Sequence, residues 1–274
     1  MKTISSILIV AASVLVIASC NKEKLDRTSI DNANIKKDSE NALKFADKEL
    51  VKTYNNCKAG EENCTYIRLK YIEATSGTIK DKVNKLIGEE LLYAYQMPDS
   101  HFKTPDEMMA AFMRDYETFR KEVPSAPQVW STDLVVKVYA ETEKVLCISG
   151  EFSAYLGGAH PNSSTGYFNI NKQTGDTVSL GSLLKPGFEV PLNKLIDKKY
   201  REMKNLKPAD NLAEKGDLFD NKIEFNYCFA VTKDKGLEFV YNPYEIAPYA
   251  VGPITVKLIR ADIEDIVAPN SLLK

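Results

Sequence analysis

The chain has 274 residues, with 36 Lys and Arg against 38 Asp and Glu and two histidines, for a formal net charge of −2. That length suffices for a substantial core and for two domains. The charge is nearly balanced and no Lys/Arg run stands out, which argues against a nucleic-acid partner; the slight acidity mildly favours a basic partner without selecting one.

The first twenty residues, MKTISSILIVAASVLVIASC, place one lysine before an apolar run from Ile7 to Ala18 and end on Cys20. A spanning helix needs about 20 apolar residues, so this shorter run reads as a secretory h-region. The ending IASC, with Ile17, small Ala18 and Ser19, then Cys20, resembles a bacterial lipobox in which Cys20 is the lipidated residue. Residues 1–20 are therefore expected to be a lipoprotein signal peptide. Acyl chains on Cys20, at roughly 0.8 kcal/mol per buried methylene, would hold the chain on a membrane. The alternative is an ordinary signal peptide that contains a cysteine. Residues 21–40 are polar and lack a hydrophobic period, which predicts a flexible tether. KEK just after Cys20 is loosely similar to surface-export signals of some Gram-negative lipoproteins. The expected location is the bacterial cell envelope, on a membrane-anchored lipoprotein, with the outer membrane favoured.

Residues 41–55 carry Leu43, Ala46, Leu50 and Tyr54 at helical spacing, yet they lead into CKAGEENC and then the alternating strand TYIRLKYIEA. A hairpin stapled by a Cys57–Cys64 disulfide is the preferred reading, in keeping with an oxidising compartment. Closing that eight-residue loop is worth about 2.5 kcal/mol on the chain-entropy account. A metal pair is the rival, but no further Cys or His lies nearby to complete a site. Two helices follow. The first runs from Thr78 to about Tyr95, with Ile79, Val83, Leu86, Ile87 and Leu91 on one face. The second opens on Thr104 as N-cap, Pro105 at N1 and Glu107 closing a capping box, and ends before Pro124. The period then switches to two. Strands are predicted over 128–141 and 144–155, then a hairpin in TGYFNINKQTGDTVSL. A helix over VPLNKLIDKKYREMKN, strands in KIEFNYCFAVT, GLEFVYN and ITVKLI, and a short helix in ADIEDIV complete the chain. Cys147 and Cys228 sit in strand-like runs and read as ordinary small core residues. The pattern is α+β: antiparallel hairpins and sheets packed with a few helices, in two small domains in tandem.

No GxSxG, HExxH, P-loop or GxGxxG motif is present, so no catalytic residue, metal site or cofactor is assigned. His101 lies in a linker and reads as solvated. His160, in YLGGAHPNSSTGY, has three readings: a turn residue first, a partner contact second, a catalytic base third. Neighbouring Ser163 and Ser164 are what a loop needs anyway, and a carboxylate pair assembled by the fold stays open. The segment YNPYEIAPYAVGP packs Tyr241, Tyr244 and Tyr249 among three prolines. Rigid tyrosines on a restrained backbone suit a recognition surface, and a buried connection is an equal alternative. His160, Asn162, Tyr244 and Tyr249 are the candidate binding residues.

These two segments also carry a family likeness. YLGGAHPNSSTGYFNINKQTGDTVSLGSLLKPGF followed by LEFVYNPYEIAPYAVGPITVKL resembles the paired envelope domains DUF4163 and DUF3298, the PdaC/RsiV-like superfamily. The GGAH turn, the stretch from Leu180 to Leu184 and YEIAPYA with its following glycine carry the likeness. It implies an α+β pair of small domains, DUF4163-like over residues 41–165 and DUF3298-like over 166–274. In that family an anti-sigma factor uses its extracellular region to bind lysozyme, and a peptidoglycan deacetylase keeps its catalytic machinery in a separate domain, which is not found here. The anti-sigma pattern also has a cytoplasmic sigma-binding segment, which this sequence does not show ahead of Cys20. The favoured expectation is a lipid-anchored, non-catalytic envelope binding protein that recognises lysozyme-like proteins or peptidoglycan. The alternative is a cell-wall glycan-acting enzyme using His160 or a carboxylate pair.

Overall fold

The computed structural model describes residues 42–96, 101–124 and 128–274. The expected signal peptide, the lipidated Cys20 and the tether lie outside the described residues. Residues 41–274 form one compact unit, and its fold is α+β, with two sheets and two main hydrophobic cores.

The first sheet has the order β1-β2-β3-β4-β5, formed by Lys44–Thr53, Tyr66–Ser76, Ser131–Glu141, Val145–Tyr155 and Asn162–Asn171. The stapled hairpin is present: β1 pairs antiparallel with β2, and Cys57 and Cys64 are joined at 2.07 Å. The step from β2 to β3 differs from the antiparallel expectation, because these two strands pair in parallel. A parallel pair needs a long crossover, and the two predicted helices supply it: α1 (Lys80–Leu91) and α2 (Pro105–Glu122). Thr104 caps α2 by accepting the Glu107 N–H at 3.2 Å. The Glu107 carboxylate reaches one residue beyond the usual capping-box position and accepts the Lys103 N–H at 2.9 Å. Val83, Ile87 and Leu91 of α1 and Met108 and Phe112 of α2 share a core with Ile67, Leu69, Leu134, Val136, Leu146 and Ile148 of the sheet.

The glycine-rich turn after β4 is a hairpin within this sheet, since β4 and β5 pair over ten residues from Val145↔Asn171 to Ala154↔Asn162. Gly157 takes φ +87° there, a conformation that a side chain would resist. The junction drawn at residues 165/166 therefore falls inside β5. The second hairpin arm expected after NKQTGD shrinks to a single bridge, Ile170↔Thr177, before the short helix α3 (Leu180–Leu183).

The second core packs α4 (Glu189–Met203) through Leu192, Ile196 and Tyr200 against Phe239, Val256 and Leu258. After the short helix α5 (Leu212–Lys215), the second sheet runs β6 (Phe229–Val231), β7 (Leu237–Tyr241) and β8 (Ile254–Leu258), all antiparallel. The strand expected over KIEFNYCFAVT survives only as β6. Side-chain amides take the backbone groups that a ladder would use: Asn193 Oδ1 accepts the Phe225 N–H at 2.9 Å, and Asn226 Nδ2 donates to Val240 O at 2.7 Å. The expected terminal helix is one 3₁₀ turn, Glu264–Ile266.

The second sheet meets the first on the face away from α1 and α2. A bulge in β3 between Val138 and Ala140 puts Tyr139 and Ala140 on that face with Cys147 and Ala230. Asn169 of β5, only 4% exposed, donates from Nδ2 to Phe229 O at 2.7 Å and accepts the Val231 N–H on Oδ1 at 2.7 Å. Asn169→Ala leaves both β6 groups buried without this partner, and an expected loss of about 2–4 kcal/mol follows from the cost of unsatisfied buried polar groups. The sole tryptophan, Trp130, lies in the first core and reports unfolding by fluorescence in a urea titration. A change below about 0.5 kcal/mol, the range of an ordinary surface substitution, would contradict this role.

Candidate functional site

The fold brings together the two segments that the sequence singled out. His160, in the β4–β5 turn, stacks on the Tyr249 ring with centroids 3.8 Å apart and planes at 19°. Its Nε2 lies 3.2 Å from the Tyr244 hydroxyl and its Nδ1 lies 3.0 Å from Pro161 O. The Tyr249 hydroxyl donates to the same Pro161 carbonyl at 2.8 Å. The two tyrosine centroids are 5.7 Å apart. The result is a three-ring patch at the surface, with Tyr244 57% exposed.

The loop after β7 builds this patch against some backbone resistance. Tyr244 takes φ +70°, a left-handed conformation that is unfavourable for a bulky side chain. Hydrogen bonds hold it there. The Asn242 N–H donates to Glu245 Oε2 at 2.9 Å, Glu245 N–H to Asn242 O at 3.0 Å and Tyr244 N–H to Ala247 O at 3.2 Å. Asn242 also pins the loop to β5, accepting the Thr165 N–H at 2.8 Å and donating to Thr165 O at 3.2 Å. The two readings of YNPYEIAPYAVGP are divided between its tyrosines. Tyr241 is a buried connection, donating its hydroxyl to Glu224 O at 2.7 Å, while Tyr244 and Tyr249 form the surface patch. Asn162 is the exposed first residue of β5, paired with Ala154, and makes no hydrogen bond to the three rings. His101 is exposed in the segment before α2.

A second site escaped the sequence reading. Glu90, in the last turn of α1, lays its carboxyl against the facing glycines of β4 and β5, Gly150 and Gly166. A β-carbon on Gly150 would collide with Glu90 Oε1, and one on Gly166 would stand 4.0 Å from that oxygen. Beside the carboxyl is a cleft of about 410 Å³ lined by Tyr93, Phe152, Phe168, Ser164 and Asn242, among others, and Glu90 is its only acidic lining residue. A lone carboxyl does not make the two-carboxylate arrangement of a glycosidase. Burial raises Glu90 above the ordinary carboxylate range. The strand glycines were the available signal, because a glycine inside a strand marks close approach of another group.

Comparison with known proteins gives a family match in the C-terminal part. Residues 181–260 match the family model described as "Protein of unknown function (DUF3298)". The match takes in the Tyr244 and Tyr249 loop and leaves the His160 turn outside it. A solved structure of a DUF3298 family member from Bacteroides fragilis is similar with a TM-score of 0.67 at 19% identity, covering 85% of this chain and 97% of that one. A DUF3298 family protein from Pseudomonas aeruginosa PAO1 gives a TM-score of 0.62 at 20% identity, covering 84% of this chain and 97% of that one. At these identities the likeness establishes a shared fold. No curated protein matches the chain.

Glu90 has a measurable thermodynamic signature. With its folded-state value raised, the native state retains a proton that the unfolded chain has released, so stability falls as pH rises from the ordinary carboxylate range through the raised value. Glu90→Gln removes that loss. Urea denaturation of both proteins across this pH range should show the wild type losing stability relative to E90Q, and parallel profiles would refute the assignment.

Proposed function

We propose that the chain is a lipid-anchored, non-catalytic binding protein of the bacterial cell envelope, recognising lysozyme-like proteins or peptidoglycan through the His160–Tyr244–Tyr249 patch. In this reading Cys20 carries the anchor, residues 21–40 are the tether, and a DUF4163-like region of the PdaC/RsiV-like type precedes the DUF3298-like region. The observation that carries it is the engagement of both His160 ring nitrogens, by Pro161 O and the Tyr244 hydroxyl, while the ring face lies on Tyr249. An acid–base role needs a ring nitrogen directed at a substrate; here the ring is used to order two tyrosines. Pre-ordered tyrosines at a surface, here exposed Tyr244 and half-buried Tyr249, supply large contact area with little entropy left to lose.

The test is a calorimetric titration of the full-length chain, in mild detergent at low salt, with c-type lysozyme and separately with muropeptides. Saturable binding to one of them is expected. The Tyr244→Ala, Tyr249→Ala double variant should weaken it by about tenfold or more, the scale of a central aromatic contact. Its core stability should be retained, since both side chains lie outside the two cores. Absence of binding to either probe eliminates both ligands, and unchanged affinity of the variant eliminates the patch.

A further inference from the structure

The cleft beside Glu90 has no role in the proposed envelope function, and its chemistry is specific. Two features make it electronegative. The Glu90 carboxyl makes no hydrogen bond or ion pair among the described residues, and the raised titration of that group comes from desolvation alone. Glu90 sits in the last turn of α1, which holds no basic residue, while its neighbour Glu89 pairs with Lys85 at 3.7 Å. The C-terminal end of a helix carries partial negative charge, and an acid there adds to it. A partly desolvated carboxyl without a counter-ion is unfavourable in a folded protein, and this half-buried one lies on a floor made of two bare glycines. Glycine inside a strand is itself unfavourable. A larger residue at position 150 would displace the carboxyl, so the bare floor and the acid belong to one arrangement.

The walls complete the picture. Phe152 and Phe168 flank the glycine pair on the same sheet face, across from Leu134 and Ile148 in the ladder, and Tyr93 stands beside Glu90. Aromatic faces around a single acid suit an organic cation, which gains both the carboxylate and the ring quadrupoles. An anion would be repelled, and a neutral apolar group would bury the carboxyl further without compensating it. The volume of about 410 Å³ admits an extended basic side chain.

We infer that the Glu90 cleft is a binding site for an organic cation, an alkylammonium or guanidinium group of the kind a lysine or arginine side chain presents. Glu90 would pair with the charge, the phenyl rings would cover the aliphatic stem, and Ser164 and Asn242 at the rim would accept remaining N–H donors. This inference does not depend on the envelope reading, because it concerns a different surface and a different chemistry.

The test follows the Gly150 and Gly166 amide signals of the ¹⁵N-labelled full-length chain by NMR during titration with four probes: Nα-acetyl-lysine amide, Nα-acetyl-arginine amide, cadaverine and neutral Nα-acetyl-norleucine amide. Saturable shifts of both glycines with a cationic probe, and none with norleucine, are expected. A response to the capped residues assigns the site to a basic side chain, and a response to cadaverine alone assigns it to a free amine. E90Q should weaken binding by about tenfold or more, the scale of a charge-assisted hydrogen bond. S164F, which fills the cleft from an exposed rim position, should abolish it. Equal shifts with norleucine, unchanged affinity in E90Q or S164F, or no saturable shift with any cation would each overturn the inference.

Discussion

Two asparagine amides hold the second sheet on the first, and both candidate sites depend on them. Asn169 gives β6 one donor and one acceptor, as the peptide of a neighbouring strand would, and Asn242 does the same for Thr165 of β5 from the opposite side. Each bond adds only about 1 kcal/mol net, but a buried group left without its partner loses about 1–3 kcal/mol, so the pairs act chiefly by excluding other registers. The consequence is positional. With Asn242 fixed on Thr165, Tyr244 two residues later and Tyr249 beyond it come down on the His160 turn. The same asparagine stands at the rim of the Glu90 cleft.

Between the sheets lies a polar layer that explains why the chain has two cores rather than one. Glu238 of β7 accepts the hydroxyls of Tyr139 and of Tyr167, the latter at 3.0 Å. Burial pushes Tyr139 up to about 12 and raises Tyr167 as well, so both phenols stay protonated and remain donors. The same layer holds the two free cysteines. Burial pushes Cys147 up to about 12 and Cys228 up to about 11, which keeps both as thiols. Cys147 therefore fills space as a small core residue, as its strand-like surroundings suggested, whereas Cys228, expected to be one too, is half-buried just ahead of β6 and donates its thiol to Thr165 O at 3.2 Å.

What the sequence made legible was local. Period-3.6 faces, the Thr104 cap and the period-2 runs identified α1, α2, α4 and most of the first sheet, because those signals sit within a dozen residues. The parallel pairing of β2 with β3 has no such signal, since either strand would alternate in the same way against a neighbour of either direction. The short β6 was hidden for a related reason: Asn193 and the Asn226 amide nitrogen act on distant backbone, and the one local mark is Asn226 itself, whose Oδ1 accepts the Cys228 N–H at 3.1 Å. His160 was visible as unusual, but its contact with Tyr244 spans 84 positions and follows from long-range ties, the Asn242 anchor on Thr165 and the Tyr249 hydroxyl on Pro161 O. Nothing local in the sequence separates Glu90 from its neighbour Glu89, and the strand glycines at 150 and 166 are the signal of its position.

Tyr244 shows how the anchor and the patch are linked energetically. A non-glycine residue at φ +70° carries strain of about 1–3 kcal/mol that the surrounding structure has to offset. The offset comes from the bonds tying Asn242, Glu245 and Ala247 together, and these persist only because Asn242 is itself held by β5. A loop free of the first sheet would relax Tyr244 away from His160. The ring patch is thus preorganised by the same contacts that join the sheets, and a tyrosine placed in advance gives up little conformational freedom when a partner covers it. Weakening the Asn242 anchor would therefore act on the patch from a distance, raising the entropic cost of binding without removing any ring from the contact surface.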